Sequence, residues 1–224
     1  MRALVESVRG GHIEPPAECA LQMVALHRKP DGELLAPEVA AVELVNLLRP
    51  TIAIARFMTF AALALHEHPQ SRARLVDDGH YREAFVQEVR RFYPFFPAVA
   101  GIARGPFTWR GFPFHAGDRF IPDLYGTDHD ARLWPEPEVF RPERFLDWRD
   151  DAFTLIPQGG GEHERNHRCA GEWLTVAVMK AMLLTLARDI AYDVPPQDLR
   201  LKLSRMPALP ESGFMVIAGS SIRR

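Results

Sequence analysis

The stretch Pro157-Gln-Gly-Gly-Gly-Glu-His-Glu-Arg-Asn-His-Arg-Cys-Ala-Gly-Glu172 holds a lone cysteine, two histidines, two arginines and three consecutive glycines, and leads into a helical pattern. A cysteine delivered to the start of a helix meets unpaired N–H groups and the positive end of the helix dipole, and both favour a thiolate over a thiol. Arg168 beside it adds positive charge. Glycines 159 to 161 let the backbone approach a flat ligand that side chains would exclude. Three chemistries fit these residue types. Cys169 can be an inert buried cysteine, a thiolate ligand or, with His163 and His167, part of a tetrahedral zinc site. Against zinc, there is no second cysteine pair, and the other histidines are scattered.

A second position calls for chemistry of its own. Arg49 sits in a strongly apolar segment with Val45, Asn46, Ile52 and Ala53 at the positions three and four residues away, so no acid on the same helix can pair with it. Its guanidinium requires an anion from elsewhere, either an acid on another helix or the carboxylate of a ligand. Pro50 removes one helical N–H and clashes with the carbonyl of Asn46, which predicts a kink where a ligand would approach.

The elements that position these groups are legible in outline. Residues 17 to 28 have weak helical character before the turn Lys29-Pro30-Asp31-Gly32. A long helix is expected over about 37–68, opened by Pro37, closed before Pro69 and apolar on nearly every face, as a helix buried in a larger fold would be. A second helix spans 81 to 92 and ends before Pro94. Short aromatic runs between 102 and 122 predict small hairpins, 134 to 165 reads as ordered coil, 171 to 190 as helix, and the tail from 192 as strand and turn. The fold class is therefore mainly α with small β hairpins.

With 224 residues, 47% of them hydrophobic and 25% charged, one globular core is the default. The formal charge of -2 gives no reason to propose nucleic acid. Two cysteines cannot form a disulfide framework, and the first residues carry Glu6 and Arg9 where an export signal would be apolar, so a cytoplasmic location is expected. The apolar stretch from Leu44 to Leu65 contains Asn46, Arg49, Pro50 and Arg56, which argues for a buried helix and against a membrane span.

Three features in register resemble the cytochrome P-450 superfamily. The cysteine loop is similar to its haem-binding loop, Glu88-Val-Arg-Arg91 to its Glu-x-x-Arg helix motif, and Pro142-Glu-Arg-Phe145 to the segment whose arginine completes a Glu-Arg-Arg triad. The resemblance implies the C-terminal, haem-binding part of that fold over residues 1–224, without the N-terminal half. It implies Cys169 as ligand to the iron of haem b, with Gln158, Gly159, His167 and Arg168 as cofactor-binding positions and His167 meeting a propionate. It also implies a structural triad of Glu88, Arg91 and Arg144.

Within the superfamily the chain looks most like the fatty-acid peroxygenase branch. The residues that carry this are Leu48-Arg-Pro-Thr-Ile-Ala-Ile-Ala-Arg56, Arg90-Arg-Phe-Tyr-Pro-Phe-Phe96, Asp123-Leu-Tyr-Gly-Thr127 and Arg205-Met-Pro-Ala-Leu-Pro-Glu-Ser-Gly-Phe214. That branch hydroxylates fatty acids at Cα or Cβ, or decarboxylates them, with hydrogen peroxide. The resemblance therefore implies fatty acid and hydrogen peroxide as partners and no reductase. Arg49 and Pro50 become the catalytic positions, with the acid's own carboxylate, held by Arg49, doing the acid–base work that other members give to side chains. Asn166 and Ala170 depart from the glycine and proline that relatives carry in the loop, and asparagine tolerates the left-handed backbone glycine would adopt. The rival expectations are a truncated remnant that binds no haem and a zinc-binding interaction domain.

Overall fold

The computed structural model describes residues 1–149 and 151–219. They form two compact units, Met1–Ala55 and Arg56–Arg224. In the first, α1 (Arg2–Arg9) and α2 (Ala20–Leu26) precede the opening turns of α3 (Pro37–Glu67). Its core is Val5, Val8, Ala25, Ala40 and Leu44, with Leu21, Val24 and Leu35 packed against them. The pattern of single apolar residues in Arg2–Arg9 is too short to have announced α1. It is fixed instead by tertiary contacts, as Val5 and Val8 are buried and Arg9 donates to the carbonyls of Ala25 and Leu35, each at 2.8 Å. Between α2 and α3 the expected turn forms, with Gly32 at φ +83° and the Lys29 N–H donating to Glu33 O at 2.8 Å.

The long helix begins at Pro37, as its sequence dictates, and ends one residue before the expected His68. It runs through Pro50, and the Thr51 hydroxyl donates back to Leu48 O at 2.6 Å. Burial departs from expectation. Phe57, Phe60, Ala61, Leu63, Ala64 and Leu65 are buried, whereas Val42, Leu47, Leu48 and Ile52 are 57%, 51%, 47% and 71% exposed. The most apolar part of α3 has a mean hydropathy of 1.4 and is 33% buried, so by length and composition alone it could cross a membrane. A helix apolar on all faces needs neighbours on all faces, and the first turns of α3 lack them among the described residues.

In the second unit the end of α3 is followed by a 3-10 turn (Pro69–Ser71), α4 (Arg72–Asp77) and α5 (Gly79–Phe92). Asp78 caps α5 by accepting from the N–H groups of His80 and Tyr81, which is why Asp78-Gly79 punctuates the sequence there. Residues 81, 84, 85, 86, 88, 89, 90 and 91 of α5 are buried, so its second half is enclosed on more than one face. They pack against α4, a 3-10 turn at Pro142–Phe145 and α7 (Glu172–Arg188). Arg72 donates to Leu186 O and Ala187 O at 2.7 and 3.2 Å, satisfying carbonyls left open at the end of α7.

The expected small sheets are present. β1 (Gly101–Ile102) pairs antiparallel with β4 (Arg119–Phe120), β2 (Phe107–Trp109) with β3 (Phe112–Phe114), and β5 (Tyr192–Asp193) with β6 (Ile217–Ala218). A one-turn helix, α6 (Leu124–Asp128), was read only as part of a motif, because five residues leave no periodicity to detect. The coil from 134 to 165 is ordered as expected. It is anchored by Trp134, Phe145 and Leu155 packed with Ala84 of α5.

Candidate functional site

Glu88 lies fully buried on α5 and collects charge from three directions. Arg91 donates through Nε and Nη2 to its two carboxylate oxygens, both at 2.8 Å, in the fork geometry that i, i+3 spacing allows. Arg144 Nε makes an ion-pair contact with Glu88 Oε2 at 3.0 Å, and the Arg141 N–H donates to Oε1 at 2.7 Å. Arg144 also donates to the carbonyls of Pro135, Glu136 and Val139 at 2.9, 3.3 and 2.9 Å, so the cluster fixes the coil between 135 and 144. The structure thus brings Glu88, Arg91 and Arg144 together.

The neighbouring Arg90, whose motif above carries no pairing role, serves a second cluster. Arg90 is 2% exposed, donates to the Gln158 side chain at 3.0 Å and forms an ion pair with Glu172. Glu172 also accepts from Arg168 Nε at 2.6 Å and contacts His163 Nε2 at 3.0 Å. Burial pushes the Glu172 carboxyl up, but Arg168 and Arg90 outweigh this and hold it at about 2. Arg168 therefore pairs with Glu172 as well as standing next to Cys169 in the chain. His163 lies against Trp173 with the rings tilted and their centroids 4.1 Å apart. Among the described residues no group of histidine, cysteine and acidic side chains could hold a metal ion, so His163, His167 and Cys169 do not assemble the zinc site left open above.

Cys169 is a free, half-buried thiol on the turn before α7. It does not lie in the first helical turn, because Gly171 is the cap and Glu172 the first helical residue. Its backbone is pinned, the Cys169 N–H donating to Gln158 O at 3.0 Å and its carbonyl accepting from the Glu172 N–H at 3.1 Å. The glycines also meet a requirement internal to the loop. A Cβ on Gly159, at φ +91°, would stand 2.1 Å from His167 O, and one on Gly161, at φ +92°, would stand 2.6 Å from Asn166. They let the loop close on itself. His167 is exposed, so its side chain is available to an outside anion.

Two routes tie the loop to α5. Gln158 links Arg90 directly to the Cys169 backbone. Arg91 Nη1 donates to Asp128 O at 2.8 Å, Asp128 Oδ1 accepts from the Ile156 N–H at 3.0 Å, and Ile156 O accepts from the Gly159 N–H at 3.0 Å. Burial pushes Asp128 up to about 8 against the Ile156 N–H, Arg90 and Arg91. Between about 4 and about 8 the unfolded chain has released this proton while the folded chain retains it, so Asp128 makes stability fall as pH rises through that window. Asp128→Asn keeps the acceptor without the charge. Its melting temperature should exceed the parent's by a margin that grows from pH 4 to pH 8, measured by circular dichroism. A margin constant across those pH values would mean that Asp128 is ionised in the folded state.

A pocket of about 270 Å³ is lined by Arg90, Arg168, Glu172, Trp148 and Trp173 among others, and Cys169 is not one of its walls. Apolar side chains stand open on the cysteine loop and on the helix it leads into, as a flat apolar group held through sulfur would need. The thiol is unpaired, and Phe153, which packs beside Gly160, is 70% exposed, as is 57% of Leu174. Arg49 and Pro50 belong to the first unit. Arg49 is exposed and has neither ion pair nor side-chain hydrogen bond among the described residues, so water can solvate its charge and the burial argument that it requires an anion does not hold in this structure, although the guanidinium is open to one.

Comparison with known proteins places this arrangement. The chain is similar to the solved structure of cytochrome P450SP alpha in complex with (R)-ibuprophen, with a TM-score of 0.90 and 50% identity over 97% of this chain and 53% of that one. Cytochrome P450EX alpha with myristic acid gives 0.88 and 43%, covering 97% of this chain and 54% of that one. Cytochrome P450 4A10 of Rattus norvegicus is 30% identical over 75% of this chain and 36% of its own length. The chain thus spans about half the length of the solved relatives it matches, and less of the curated ones. Family membership implies haem iron as the cofactor. The cytochrome P450 family model matches residues 63–218, more than half of the sequence, and the chain belongs to that family.

Proposed function

We propose that this chain carries the thiolate side of a haem-dependent enzyme that oxidises fatty acids with hydrogen peroxide, hydroxylating at Cα or Cβ or removing the carboxyl group. The observation that carries the reading is the pinned, unpaired Cys169 between two buried arginine clusters. Support for the substrate class comes from relatives solved with myristic acid and arachidonic acid, at 43% and 40% identity.

Cys169 would ligate the haem iron, and the bound haem would supply peroxide O–O cleavage and oxidation of the substrate carbon. This chain's residues do the rest. Gln158 and the Arg90–Glu172 pair hold the Cys169 backbone in place, so that its sulfur needs little reorganisation on binding. His167 is available to a propionate. Arg49 holds the substrate carboxylate in a charge-assisted pair, and that carboxylate exchanges the proton that peroxide must lose and regain. No reductase is needed in this reading, because peroxide carries both the oxygen and the oxidising equivalents, and the location proposed is cytoplasmic.

The test is spectroscopic. After haem reconstitution, reduction and carbon monoxide treatment, the chain with Cys19→Ala should show the red-shifted Soret band of a thiolate-ligated haem, and adding Cys169→Ala should abolish it. A band that survives the second substitution would remove Cys169 from the iron. Absence of any Soret band in the parent would favour the remnant that binds no haem.

A further inference from the structure

The hairpin β2–β3 projects a one-sided aromatic face that the proposed reaction does not use. Its register pairs Phe107 with Phe114, Thr108 with Pro113 and Trp109 with Phe112. Because side chains alternate along a strand, Phe107, Trp109, Phe112 and Phe114 all emerge on the same face, and Thr108 and Pro113 on the other. Phe107 and Phe114 stack at 4.6 Å, and Phe112 meets Phe114 edge-on at 4.9 Å. These rings stay open to solvent, with Phe107, Trp109 and Phe112 45%, 60% and 60% exposed. A face of this kind costs solubility unless something covers it.

Charge and backbone narrow the choice of occupant. The turn residues Arg110 and Gly111 have φ of +48° and +81°, the left-handed pair a two-residue hairpin loop requires, and the Arg110 guanidinium lies 5.2 Å from the Trp109 ring centre. Between residues 99 and 121 there are three arginines, Arg104, Arg110 and Arg119, against the single acid Asp118, although the whole chain carries a formal -2. Ile102 and Ile121 beside the hairpin are 64% and 72% exposed. Strand addition by a second copy is disfavoured. With a two-residue loop, Trp109 and Phe112 form the hydrogen-bonded pair, which puts Pro113 in a non-bonded pair with its missing N–H on the open edge. Aromatic rings that tolerate an interface, arginines that reach past them and an excess of positive charge together fit an anionic lipid surface.

We propose that the Phe107–Phe114 hairpin is a peripheral lipid anchor, inserting Trp109, Phe107 and Phe112 among lipid headgroups while Arg104, Arg110 and Arg119 meet their phosphates. This goes beyond the proposed reaction and does not depend on it. The purified chain should co-sediment with vesicles of phosphatidylcholine and phosphatidylglycerol in equal parts, and less with phosphatidylcholine alone. The double variant Trp109→Ser, Phe112→Ser should weaken that binding roughly tenfold or more with an unchanged melting curve, and Arg110→Glu should do so on the anionic vesicles only. Three results would overturn the assignment. One is a parent chain that stays in the supernatant. Another is a double variant that binds as the parent does, which would move the lipid contact elsewhere, for instance to the exposed turns of α3. The third is a concentration-dependent dimer that the double variant abolishes while vesicle binding is absent, which would make a second copy the occupant.

Discussion

Glu88→Ala should destabilise the second unit by about 3–5 kcal/mol, because it leaves two buried guanidinium groups, Arg91 and Arg144, without their anion. The cost is that of an uncompensated charge and exceeds the net worth of the ion pairs themselves. It also releases the Arg141 N–H, which donates to the same carboxylate at 2.7 Å. The comparison that isolates burial is Glu143→Ala. Glu143 pairs with Arg74 at 2.9 Å, but both side chains are nearly half exposed, so this variant should lose at most about 0.5 kcal/mol. Urea unfolding followed by circular dichroism measures both. Equal midpoints for the two variants would mean that the buried triad contributes no more than a surface pair.

Arg49→Leu should lower peroxide-driven turnover of a long-chain fatty acid by roughly a hundredfold, while the haem spectrum stays that of the parent. On the proposed reading the size follows from losing a charge-assisted pair that would both anchor the acid and keep its carboxylate where peroxide is deprotonated. Arg49 has no protein anion among the described residues, so its removal should leave folding intact. A short carboxylic acid added with a substrate that lacks a carboxyl group should restore part of the peroxide chemistry in the parent and little in the variant. Unchanged turnover of the fatty acid by Arg49→Leu would take the carboxylate away from Arg49.

The elements of this protein were written locally. Pro37 and Pro69 bracket α3, Asp78 and Pro94 bracket α5, and Arg110-Gly111 closes the hairpin, because each signal acts through backbone conformation within a few residues. The triad was also legible, since Glu88 and Arg91 are one helical turn apart and a known pattern supplied Arg144. The second cluster was not. Arg90 and Glu172 are 82 residues apart, and nothing near either one announces the other. Arg168 and Glu172 are only four residues apart, and Gly159 and Gly161 meet His167 and Asn166 within their own loop, but these contacts depend on how the loop closes, which residue types alone do not specify.

Composition fixed that α3 would be apolar and where it would start and stop, but its burial depended on what packs beside it. Phe60 is fully buried while Ile52, two turns earlier on the same helix, is 71% exposed. Sequence by itself determined the extent of the long helix, the end of α5 and the cysteine at a glycine-rich turn, since these follow from backbone sterics and residue type, whereas the short helices α1, α4 and α6 left no local signal. Tertiary structure alone decided which charges neutralise one another around that cysteine and which apolar faces stay open, because pairing and burial are properties of neighbours brought together from distant parts of the chain.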